Sequence, residues 1–230
     1  MKSLIILVEG ETEQEFVNKI LAPYLVKDKG LNTEIRPVMI EKKGGGHGYS
    51  NIEHFKNTIR PFLHNTNEPV ISMLIDHYGI NSERKMPGYT SISSSNIAER
   101  IAQMEKIFNT EVQQIKPYRF FIPYIQQHEM ETLLLANPIE GFSLEDVNIK
   151  NKVIELCNQF ESIEEINCTP DGAPSKRLAN IYKEENKKYD KVIDAVDIIE
   201  LSGGIPVILT KCPIFAKWIA NIEKMLKEKN

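Results

Sequence analysis

At 230 residues the chain is long enough for one large domain, or one domain with a helical appendage. Hydrophobic residues make up 41% and charged residues 26%, the mix of a globular protein with a sizeable core, and no apolar run approaches the ~20 residues of a membrane span. The net charge of −4 excludes a protein coated in basic surface, so a nucleic-acid partner requires a local basic patch or metal ions against its phosphates.

Cys157, Cys168 and Cys212 are odd in number and far apart, without the paired spacing of a metal site. With no signal-peptide layout at the start, this points to a reducing cytoplasm. Leu4 to Val8 is a continuous apolar run, short enough for a strand buried on both faces of a parallel sheet. It stops at Glu9-Gly10, and the spacing of Phe16, Val17, Ile20, Leu21 and Leu25 then predicts a helix, with Thr12 as its N-cap. Glu9 falls at the carboxyl end of a first strand, where open α/β sheets place their ligands. The alternative is a solvated turn acid.

Thr33 to Ile40 reads as a second strand, and Pro37 within it favours a sheet edge. The glycine-dense stretch Gly44-Gly45-Gly46-His47-Gly48 is not a Walker loop, since no Gly-Lys-Ser/Thr follows at the required spacing. It reads either as a phosphate-binding loop, which would serve a phosphotransferase or nucleotide-binding protein, or as a long floppy connection. Ile52, Phe55, Ile59 and Leu63 space as a helix.

Pro69 to Ile75 is a second buried-strand pattern, ending in Asp76. Two parallel strands with helical crossovers bring their carboxyl ends to one edge of the sheet. Glu9 and Asp76 can then converge on one hard divalent cation, which takes oxygen ligands. A polar loop over 80–95, a third crossover helix from Ile97 and a strand over Tyr118 to Ile125 follow. Past that strand, Gln127-His128-Glu129-Met130-Glu131 runs into a leucine-rich helix. His128 and Glu131 are three apart, hence on one helical face, with Glu129 pointing elsewhere. His plus Glu at this spacing can ligate a metal or hold a general base. From Asn137 onward the chain reads as helical, and Pro174-Ser175-Lys176-Arg177-Leu178 opens one helix with two cations. An anion such as phosphate docking at that end explains them, and so does a solvated basic turn. Lys183, Lys187, Lys188 and Lys191 read as a solvated face, and Trp218 as core packing in the last helix.

The start Val8-Glu9-Gly10-Glu11-Thr12-Glu13 resembles the first motif of the Toprim (topoisomerase–primase) catalytic fold. With Asp76, His128-Glu129-Met130-Glu131, Pro174-Ser175-Lys176-Arg177-Leu178 and Cys212-Pro213-Ile214-Phe215 ahead of Trp218, it is similar to small stand-alone prokaryotic Toprim-like proteins. These form domain-of-unknown-function family 4276, related by fold to the Toprim nuclease domain of overcoming-lysogenization-defect proteins. The second Toprim motif is Asp-x-Asp, whereas this chain has Tyr78 in the second place.

The resemblance implies an α/β, Rossmann-like, mostly parallel sheet flanked by helices over residues 1–136, with a helical region, 137–230, packed on it. It implies a metal-dependent nuclease in which Glu9, Asp76 and Glu131 hold Mg²⁺ or Mn²⁺, and His128 completes the catalytic set. Lys176 and Arg177 then meet the phosphates of DNA or RNA. It also implies phage defence beside an ATPase partner, away from any membrane. Tyr78 and the negative net charge favour the alternative, a non-catalytic Toprim-like module that binds an ATPase or nucleic acid.

Overall fold

The computed structural model describes residues 2–166 and 172–228. Of the positions singled out above, Cys168 lies outside the described residues. Strands β1 (Lys2–Val8), β2 (Thr33–Met39) and β3 (Val70–Asp76), with the short β4 (Phe121–Ile122) and β5 (Ile125–Gln126), form one parallel sheet. The order is β2-β1-β3-β4, and β5 continues beside β3. Pro37 pairs with Ile6 on the edge strand β2, the kind of strand that tolerates a residue without an N–H. The strand expected over Tyr118 to Ile125 is broken into β4 and β5 around Pro123, which cannot donate to the ladder.

The continuous apolar runs are explained by two cores. Leu4, Ile6 and Val8 of β1 and Val70 and Leu74 of β3 face one core; Ile5, Leu7, Ile71, Met73 and Ile75 face the other. Helices α2 (Ile52–Leu63) and α3 (Ile97–Ile115) cover the second core through Phe55, Ile59, Met104 and Phe108. The first core is larger. It takes α1 (Glu11–Phe16), which runs on through wider turns over Val17–Leu21 and Tyr24–Asp28. It also takes α4 (Glu131–Leu134), α5 (Pro138–Gly141), α6 (Val147–Cys157), α7 (Pro174–Glu184), α8 (Ile193–Leu201), α9 (Gly204–Lys211) and α10 (Pro213–Glu228). This is an α/β fold: a parallel sheet with helices on both faces and a helical C-terminal segment packed against one of them. Among the described residues, no single helix is long and apolar enough to cross a membrane.

Trp218 ties that segment to the sheet. Its ring stacks on Tyr124 at 4.4 Å and 8°, and its Nε1 donates to Ser72 Oγ on β3 at 2.8 Å. Ser72 in turn donates to the Ile122 carbonyl. The residue is 2% exposed. Trp218→Ala is expected to cost about 3–5 kcal/mol, from the cavity and the lost hydrogen bond together. Urea unfolding reads this directly as a lower midpoint at unchanged slope.

Candidate functional site

Helix α1 begins two residues earlier than the sequence reading allows. Thr12 is not the cap: the helix starts at Glu11 from an extended Gly10, and the Glu13 carboxylate reaches back to accept the Gly10 N–H at 3.0 Å. Glu13 is thereby turned toward the carboxyl edge of the sheet, where it feels the charges of Glu131 and Asp76.

Glu9 and Asp76 are brought together. Glu9 Oε2 accepts the backbone N–H of Asp76 at 3.0 Å, and its Oε1 accepts that of Tyr49 at 3.3 Å. Asp76 Oδ1 accepts the N–H of Gly79 at 3.0 Å. A β-carbon added at Gly79 would lie 3.6 Å from Glu9 Oε1 and 3.9 Å from Asp76 Oδ1, so both carboxylates border the space that glycine leaves open. Gly79→Ala creates no contact closer than ordinary van der Waals distance, and its backbone is outside the left-handed region. The variant is expected to melt like the wild type while binding Mn²⁺ at least about tenfold more weakly, because its methyl group fills the cradle. Equilibrium dialysis against Mn²⁺ checks it.

The glycine stretch is an ordered hairpin rather than a floppy connection. Glu41 and His47 bridge antiparallel, Lys42 N–H donates to the Gly46 carbonyl at 3.0 Å, and Gly48 N–H donates to Ile40 at 2.8 Å. Gly48 has φ +111°, and a β-carbon there would meet Lys42 at 3.4 Å and the Glu9 carbonyl at 3.6 Å. Glycine at this point lets the hairpin close against the tip of β1, with Lys42 at the rim of the site.

Glu131 opens α4 and is 3% exposed. Its Oε1 lies 3.0 Å from Nζ of Lys191, so that side chain, 48% exposed, also reaches a buried acid instead of facing solvent alone. The shared helical face assigned to His128 and Glu131 is not formed, because the chain is still non-helical at His128. Freed from helical spacing, Glu129 turns in: its carboxylate accepts the Ser175 N–H at 2.9 Å, at the start of α7. The anion that the cationic helix start called for is thus already inside the protein. Glu129 also adds its negative charge to the surroundings of Asp76 and Glu131. His128 is completely buried, and its Nε2 is hydrogen-bonded to the Glu164 carbonyl. Arg177 donates from Nε to the Gly172 carbonyl at 2.8 Å and lies over the Phe160 ring, while Lys176 is exposed on the first turn of α7.

Electrostatically the site is short of positive charge. Burial, then the charge of Asp76, pushes the Glu9 carboxyl up to about 8. Burial also raises Asp76 and Glu13, and it raises Glu131 against the pull of Lys191. Buried acids that resist ionising are the donor set a hard cation satisfies. Among the described residues no three His, Cys, Asp or Glu side chains close on one point as a finished cage. The arrangement fits the two-carboxylate form, in which water and substrate oxygen fill the remaining positions.

The search of curated proteins gives no match. Among solved structures, the chain is similar to the C-terminal region of the Xanthomonas campestris pv. campestris OLD protein, at 13% identity and a TM-score of 0.43, over 98% of this chain and 95% of that one. It is also similar to the C-terminal region of the Burkholderia pseudomallei OLD protein, at 13% identity and a TM-score of 0.46, over 100% and 98%. The family model for a domain of unknown function, DUF4276, matches residues 8–223, and the chain belongs to that family.

Proposed function

We propose that the protein is a metal-dependent phosphodiester hydrolase, a nuclease acting on DNA or RNA at the carboxyl edge of its sheet. The observation that carries this reading is the convergence of Glu9 and Asp76 on the space beside Gly79. In this reading residues 1–136 form the catalytic domain, and the helical region, 137–230, packs on it and contributes Lys176, Arg177 and Lys191.

Glu9 and Asp76 hold Mg²⁺ or Mn²⁺, with Glu131 facing the same cluster. When bound, the ion supplies polarisation of the scissile phosphate and a water of lowered pKa. Glu9, ionised once the metal is bound, would also be the carboxylate placed to receive the proton of the attacking water. Glu13 and Glu129 keep the pocket anionic while their own hydrogen bonds hold Gly10 and Ser175 in place. His128 acts as a positioning residue: anchored to the Glu164 carbonyl, it fixes the segment that carries Glu129 and Glu131. Lys176 and Arg177 meet substrate phosphates outside the reacting centre. An ATPase partner and a role in phage defence belong to the same proposal, through the Toprim-like resemblance.

A second reading, a module that binds nucleic acid or an ATPase without cutting, is favoured by one observation. Tyr78 stands where the resemblance places a second acid, so β3 brings one carboxylate rather than two. Incubating the protein with end-labelled single- and double-stranded DNA and RNA separates the two. Mn²⁺-dependent cleavage that Asp76→Asn abolishes supports the nuclease. Binding that is equal in both proteins, with no cleavage in either, supports the module.

A further inference from the structure

Lys191 sits in the turn between α7 and α8, in a stretch whose alternating Lys and acidic residues read as ordinary solvated surface. Its environment is different. The ammonium is 3.0 Å from a carboxylate only 3% exposed, while 48% of the lysine side chain remains open to solvent. Its charge reaches Glu129 and Glu13 as well as Asp76. A lysine meeting a surface acid contributes little, but removing the partner of a buried acid leaves an uncompensated charge in low dielectric. Glu13 and Glu129 accept backbone N–H groups from Gly10 and Ser175, and among the described residues no Lys or Arg ion pair is seen at either.

The second observation concerns the stretch just past β3. Tyr78 stands where the Toprim resemblance would place a second acid after Asp76, and the turn before α8 brings one positive charge to the cluster. The two departures compensate one another. Building on the nuclease reading above, we propose that Lys191 is the fixed cation of this site. Its ammonium takes the Glu131 side of the carboxylate cluster, where a second divalent ion would otherwise be needed. The protein then uses one divalent ion, on Glu9 and Asp76, and one ammonium, on Glu131. An ammonium is a compact point charge with three donors, so its solvent-facing side can also meet a substrate phosphate oxygen without leaving Glu131.

The test is Mn²⁺ binding to the full chain by titration calorimetry, in wild type, Lys191→Met and Lys191→Arg, each first shown to melt cooperatively. Methionine keeps most of the apolar stem and removes the charge; Lys191→Gln replaces it if that variant does not fold. One Mn²⁺ per chain is expected in the wild type and in Lys191→Arg. Lys191→Met is expected to bind a second Mn²⁺, or to bind the first roughly tenfold or more tightly, since a like charge has left a low-dielectric cluster. Mn²⁺ binding by the uncharged variant alone contradicts the one-ion wild type and overturns the proposal. Two ions in the wild type, or identical stoichiometry and affinity in wild type and Lys191→Met, overturn it and leave the Glu9–Asp76 metal site standing. No Mn²⁺ bound by any variant overturns it together with the metal reading.

Discussion

Exchange of Glu9 for Gln is expected to eliminate measurable Mn²⁺ binding and to lower phosphodiester cleavage by about 10²–10⁴-fold, the range that one general acid–base group supplies. The substitution is close to isosteric, and the amide oxygen can still accept one of the two N–H groups, from Asp76 or Tyr49, that Glu9 now accepts. Its NH₂ end meets the other donor, so about 1 kcal/mol of hydrogen bonding is lost. Relief from burying an acid with little compensating charge acts in the opposite direction. The variant therefore folds, and its loss of function is chemical. Calorimetry with Mn²⁺ and single-turnover cleavage, run beside a melting curve, separate the two effects. Near-wild-type cleavage by Glu9→Gln would remove Glu9 from the mechanism.

The second large effect is on stability as a function of pH, measured in chelator. An unfolded glutamate ionises near 4.5, whereas burial and the charge of Asp76 move Glu9 in the folded protein to about 8. Between these values the folded state holds more protons than the unfolded one. Stability then falls as pH rises, by up to about 1.4 kcal/mol per pH unit from this group, and levels off above about 8. Asp76, Glu13 and Glu131 are raised as well and act with the same sign from their unfolded values upward. The melting temperature is expected to drop between pH 5.5 and pH 8. Mn²⁺, which binds the ionised form, should recover most of the loss by mass action. Glu9→Gln is expected to flatten the profile. A melting temperature that rises over this window in chelator would contradict the buried acidic cluster.

The strands and their acidic tips were legible because they are written in adjacent residues. A strand covered on both faces has to be apolar at every position, so the runs ending at Val8 and Ile75 stand out. The acid at the end of each then falls at the ligand-binding edge of a parallel sheet. Helix spacing identified the faces of α2, α3 and α10 in the same way. Where the helix began was less visible. Gly10, its N–H held by Glu13, is the cap in place of Thr12, and that moves the start of α1 by two residues. At His128 the same uncertainty mattered more, since a helical face was assigned to residues that precede the helix.

By itself, then, the sequence determined the parallel sheet, the edge placement of β2, and the meeting of Glu9 with Asp76, because period and strand order follow from local pattern and right-handed crossovers. Only the tertiary structure decided which groups from the helical segment enter the site. Glu129 is held by Ser175 across 46 residues, and Lys191 reaches Glu131 from the turn before α8. No spacing rule links such residues. They are neighbours because the larger core folds α4, α7 and α8 onto one face of the sheet, and a buried carboxylate there is stable only where the chain brings it a partner.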